Sequence, residues 1–146
     1  VNHLCALWVA TLATTMGEPP PSGTEEERAV EVCQMIVESA ERHDTDPSLA
    51  VAVAWHESRL RFGLVSSRGA EGPMQVIARY WCTDARGRWT PNGEHITKGC
   101  DLVDAGVRAL DYYLSTRPTV GAALRSYGGT HSYTDRVLIL AEAIKY

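Results

Sequence analysis

The segment Leu49-Ala50-Val51-Ala52-Val53-Ala54-Trp55-His56-Glu57-Ser58 is apolar as far as Trp55 and then turns polar. Asp46-Pro47 stands just before it. An aspartate can cap a helix N-terminus, and a proline fits the first helical position, where a backbone N–H has no partner to lose. A helix that is apolar on every side belongs inside a core. The segment therefore predicts a buried helix from Pro47 to about Arg61 that carries Glu57 near its end. A carboxylate held there loses part of its hydration, which favours its neutral form and raises its pKa. An acid that keeps its proton near neutral pH can act as a general acid.

The rest of the chain reads as helices around this one. Val30, Cys33, Ile36, Val37 and Ala40 recur with a helical period and predict a helix from Arg28 to His43, with Thr24 as a candidate N-cap. His43 to Asp46 is a turn. Phe62 to Glu71 reads as a loop, and Pro73 as the start of a short helix through about Trp81. Val103, Val107, Leu110 and Leu114 predict a helix from Asp101. Val120 to Tyr127 is a short helix stopped by Gly128-Gly129. A last helix runs from Tyr133 to Lys145. No run alternates like a strand, and no repeat is visible. The expected class is all-α: one domain, residues 24–146, with a small irregular or hairpin insertion at about 82–100, where Thr90-Pro91-Asn92-Gly93 signals a turn.

Residues 1–23 differ in character. Leu4 to Ala13 is apolar or small and too short for a standard membrane span. It suits the apolar region of a secretory signal or an anchor, and equally a buried N-terminal helix. Gly17 to Gly23, with three prolines, reads as a stiff linker. Among the four cysteines, Cys82 and Cys100 bracket the polar turn-rich segment and are expected to form a disulfide. Cys33 lies on an apolar helix face and is expected to be a buried small hydrophobe.

Glu57-Ser58, Val65-Ser66, Gly69-Ala70 and Gly72 with Met74-Gln75 together resemble the soluble lytic transglycosylase family, within the goose-type lysozyme superfamily. Ala122-Ala123-Leu124-Arg125-Ser126-Tyr127-Gly128-Gly129 is similar to a further motif of that family, an alanine-rich turn ending in Tyr-Asn-Gly. The resemblance covers residues 28 to 140. It implies a lysozyme-like fold and cleavage of peptidoglycan glycan strands by a single glutamate, here Glu57. The muramyl C6 hydroxyl attacks its own C1 and leaves a 1,6-anhydro end. Ser58, Met74, Gln75 and Tyr127 correspond to substrate-binding positions: Met74 and Gln75 to groove residues and Tyr127 to one that reaches the catalytic centre, while Ser58 suits a bond to the loop as well as to the substrate, and Met74 suits core filling equally. The chain departs from the pattern at Gly128, where asparagine is usual, and at Pro73, where leucine is usual. His56 points about 100° away from Glu57 on a helix and is read as structural.

The net charge of −4 argues against a nucleic-acid partner, which calls for a basic face. No cofactor is expected, and no metal, since the five histidines are not clustered at ligand spacing. Asp84, Asp101, Asp104 and Asp135 occupy no motif position and are read as helix-end or solvated acids. Two rival readings share this fold: a goose-type muramidase that hydrolyses the same bond, and a non-catalytic glycan-binding or virion structural module. The resemblance further implies a protein that acts outside the cytoplasm or on a phage virion. It is expected to be a monomer as an isolated domain, and secretion-system or virion assemblies are its candidate partners.

Overall fold

The apolar run forms α3 (Pro47–Ser58) in a computed structural model of the chain, which describes residues 2–82 and 100–145. Asp46 caps the helix, accepting from the Ser48 amide at 2.9 Å, and Pro47 follows it. Every side chain from Leu49 to Trp55 is buried. α2 (Gly23–Arg42) and α7 (His131–Ala143) pack against α3. α2 turns Val32, Cys33, Ile36, Val37 and Ala40 inward, the face that the sequence period marks. It starts earlier than expected, and its N-cap residue is Ser22 rather than Thr24. α5 (Leu102–Thr116) leans on α2 and on α6 (Val120–Gly128). The class is all-α and lysozyme-like.

α1 (Asn2–Thr15) belongs to the same core. Cys5, Trp8, Val9, Leu12 and Ala13 are buried with residues of α2 and α3. The apolar N-terminal run is thus a helix packed into the core. Cys33 is buried as expected, but it is not a free thiol: it is bonded to Cys5. That bond staples α1 to α2. Cys82 is bonded to Cys100, as the bracketing of the polar loop implied. The loop between them, with the hairpin expected there, lies outside the described residues.

Two segments differ from the sequence reading. α3 stops at Ser58 instead of about Arg61, because Arg59 and Leu60 both take left-handed backbone angles, φ 57° and 60°. Two such residues in a row are costly and need support from their surroundings. Leu60 is fully buried. Arg59 donates to both carboxylate oxygens of Glu18, at 2.8 to 3.2 Å, and to the carbonyls of Trp55 and His56. The Pro-rich linker thus holds the end of the central helix. In the second segment, Pro73 does not open a helix. It sits in the turn of a small hairpin between β1 (Ala70–Glu71) and β2 (Val76–Ile77), which pair antiparallel with Ala70 opposite Ile77. The helix that follows is only α4 (Ala78–Trp81).

Asp104 on α5 ties that helix to α2. It accepts from His43 Nε2 at 2.7 Å, Ser39 Oγ at 3.0 Å and Arg42 at 3.4 Å, and from Arg108 at 3.2 Å along its own helix. Partial burial pushes the carboxyl pKa up. The hydrogen bonds outweigh that and bring it down to about 2. Asp104 is therefore a structural acid that ties two helices together. Asp101 caps α5, accepting from the Asp104 amide.

Candidate active site

Glu57 lies one residue from the end of α3, half-buried beside the ends of α6 and α7. Burial raises its pKa from the ordinary carboxylate value to about 7, and the hydroxyl of Tyr133 opposes the rise. At neutral pH a large fraction of Glu57 is therefore protonated. In turn, burial and the charge of Glu57 push the hydroxyls of Tyr127 and Tyr133 far above the usual phenol range. Both tyrosines are neutral donors at any working pH.

The hydroxyl groups of the motif residues hold a turn. Ser58 Oγ donates to the Pro73 carbonyl at 2.7 Å and accepts from the Arg61 amide at 3.1 Å. Tyr127 Oη donates to the Met74 carbonyl at 2.6 Å. The hairpin turn Gly72–Gln75 is thus pinned by α3 on one carbonyl and by α6 on the next. Gly72 has φ 79° and Gln75 has φ 52°, angles that ordinary residues avoid, so the turn needs such anchors. Gln75 adds its own: its amide donates to the carbonyls of Leu64 and Gly72, each at 3.0 Å.

These contacts show where the structure puts each candidate residue. Ser58 is buried and braces the loop, the first of the two uses open to it. Met74, expected at the groove, has no exposed surface. Its side chain fills the space over Gly106 of α5, where a Cβ would come within 2.8 Å of the Met74 sulfur. Its contribution is core packing. Tyr127 and Gln75 do share a cleft of about 270 Å³. Tyr80, Trp81, Tyr113 and Ser126 also line it. Trp81 meets Tyr113 edge-on at 5.9 Å, and Tyr113 meets Tyr127 at 6.4 Å. Aromatic faces mixed with hydroxyl and amide groups suit a ring that is apolar on its faces and polar at its edge. A larger concavity of about 400 Å³ lies among Val65, Arg68, Glu71 and Tyr80, and none of the candidate site residues lines it.

Tyr133 was missed in the sequence, where it marks only the start of a helix. In the structure its side chain is buried, and its hydroxyl lies near enough to Glu57 to feel its charge. It approaches the carboxyl closely enough to stabilise its charge, but it makes no formed hydrogen bond with any described group. His56 packs edge-on against the Tyr133 ring at 4.9 Å, and burial lowers its pKa, helped by Arg59 and Arg136. It braces the ring and stays neutral, which suits a structural residue.

The arrangement supplies one protonated carboxyl, a buried phenol beside it and an aromatic cleft that shares Tyr127. Among the described residues, no carboxylate is among the groups that act on the charge of Glu57. Residues 34–139, more than half of the chain, match the family model described as the transglycosylase SLT domain. No curated protein and no solved structure matches.

Proposed function

The chain belongs to the transglycosylase SLT domain family, and from that premise we propose that it cleaves peptidoglycan glycan strands with Glu57 as its single acid and base. The bond in question is the β-1,4 link between N-acetylmuramic acid and N-acetylglucosamine. The observation that carries the reading is the environment of Glu57: a carboxyl buried enough to hold its proton near pH 7.

The steps follow from that protonation state. Glu57 gives its proton to the glycosidic oxygen as the bond to C1 breaks. The sugar gains oxocarbenium character. Glu57, now a carboxylate, takes the proton from the muramyl C6 hydroxyl as that oxygen closes on C1. The product is a 1,6-anhydro ring, and Glu57 is protonated again. The nucleophile belongs to the same sugar, so it is already at high effective concentration and no water has to be positioned. A second carboxylate has no task in this sequence.

The pinned turn and the aromatic cleft supply the wall against which the glycan lies, with Gln75 and Tyr127 at its polar edge. The two disulfides suit an oxidising compartment, where peptidoglycan is found. No described helix is long and apolar enough to cross a membrane.

The pH dependence tests the protonation state. The rate of glycan release from purified cell-wall sacculi should be sustained below pH 7. Above it, the rate should fall about tenfold per pH unit as Glu57 loses its proton. A rate that stays level from pH 6 to pH 9 would rule out Glu57 as the proton donor.

A further inference from the structure

Two glycines close α6, and they serve different needs. Gly129 has φ 94° and forms the left-handed cap of the helix, with its N–H on the Arg125 carbonyl. A glycine is the natural residue there. Gly128 lies within the helix and has no positive φ. Inside a helix, glycine is worse than alanine by about 0.5–1 kcal/mol. Conformational freedom therefore does not account for Gly128.

Space does. A Cβ built on Gly128 would come closer than 3.0 Å to Cδ1, Cε1 and Cζ of the Tyr133 ring, a separation that real Cβ atoms essentially never show. The obstacle is a rigid ring, itself met edge-on by His56 of α3 at 4.9 Å. Tyr133 is thus seated against the missing side chain of α6 while touching the end of the central helix. Its hydroxyl is buried without a formed hydrogen bond and faces Glu57.

We infer that Gly128 is a positioning residue that acts through Tyr133: the absence of a side chain at 128 lets the phenol stand at the Glu57 carboxyl and donate a hydrogen bond to it when it is charged. This rests on Glu57 being the acid and base. After Glu57 has given up its proton, its carboxylate is left in a buried site. The Tyr133 O–H then completes its bond to that carboxylate and keeps its own proton. Among the described residues, the groups that act on Glu57 or feel its charge are Tyr133 from α7 and Tyr127 from α6; His56 and Arg59 are its neighbours along the chain. Tyr127 spends its proton on the Met74 carbonyl, so Tyr133 alone of the two hydroxyls is free for Glu57. The departure from asparagine at 128 is then a requirement of this site and not a lost contact.

The test titrates Glu57 directly, through its side-chain carboxyl carbon by NMR on selectively labelled protein, so it does not depend on turnover. Tyr133→Phe should raise the Glu57 pKa, since the charged form loses its donor. Gly128→Ala should raise it by a similar amount by displacing the ring. The two changes together should raise it no further than Tyr133→Phe alone. In turnover assays, each single variant should lower kcat about tenfold or more, with little change in KM and the alkaline limb moved up. A Glu57 pKa that is unchanged in Gly128→Ala, or unchanged in Tyr133→Phe, would overturn the inference. So would shifts that add. If Gly128→Ala does not fold, the pair Gly128→Ala with Tyr133→Ala removes the obstructing ring and should fold as well as Tyr133→Ala alone. Failure of that pair to fold would also overturn it. A wild-type protein that shows the expected titrations but releases no glycan would sink the proposed function and leave the positioning role standing.

Discussion

Glu57→Gln should abolish glycan cleavage, with a loss of at least ~10²-fold, the scale of a positioned general acid. The amide matches the carboxylic acid in shape and fits the same half-buried site, but it has no acidic proton to give. The variant should also be more stable than the parent at neutral pH and above. The sign follows from the raised pKa. A carboxyl that titrates near 4.5 when unfolded and about 7 when folded costs nothing below pH 4.5. Between those values the folded state must increasingly bury a charge or bind a proton that the unfolded state has lost. By pH 8 the penalty is of the order of 2–3 kcal/mol. Glutamine never incurs it. Thermal melts at pH 4 and pH 8 should therefore show little difference between parent and variant at the lower pH and a clear gain at the higher one. Cleavage above a tenth of the parent rate by the folded variant would refute the assignment of Glu57.

The second large effect concerns the N-terminal staple. Cys5 and Cys33 are separated by 28 residues along the chain, and their bond restricts the unfolded state over that whole loop. Replacing both by alanine should cost ~3–4 kcal/mol on the chain-entropy model. For a domain of this size that lowers the melting temperature by about 10 °C. The substitution is preferable to a reducing agent, which would open Cys82–Cys100 as well. A melting temperature within about 2 °C of the parent would mean that α1 is held by its apolar contacts alone.

Much of the fold and of the site can be read in the sequence, because the relevant signals are local. Asp46-Pro47 just before an unbroken apolar run signals the start of a buried helix, and that helix delivers Glu57. The face of α2 and the inward residues of α5 follow from the helical period. What stays hidden depends on tertiary partners. The strands of the hairpin have two residues each, too few for any alternation to show. Pro73 fits a turn as well as a helix start, and the left-handed angle of Gln75 that decides between them is imposed by anchors from α3 and α6. Motif matching named Ser58, Met74 and Tyr127 but could not tell what they touch. The hydroxyls go to backbone carbonyls and Met74 to the gap over Gly106. Tyr133 joins the site only because α7 begins beside the end of α3. Cysteine pairing beyond the local loop is likewise undetermined by spacing.

The central claim is that one carboxyl performs the whole cleavage with the sugar's own hydroxyl as nucleophile. Mass analysis of the fragments that the purified protein releases from cell-wall sacculi tests it most directly. The account predicts muramyl ends one water lighter than reducing ends, the mark of the 1,6-anhydro ring. Fragments that carry only reducing ends, or a label incorporated from ¹⁸O-water at the cut, would show that water is the nucleophile and contradict it.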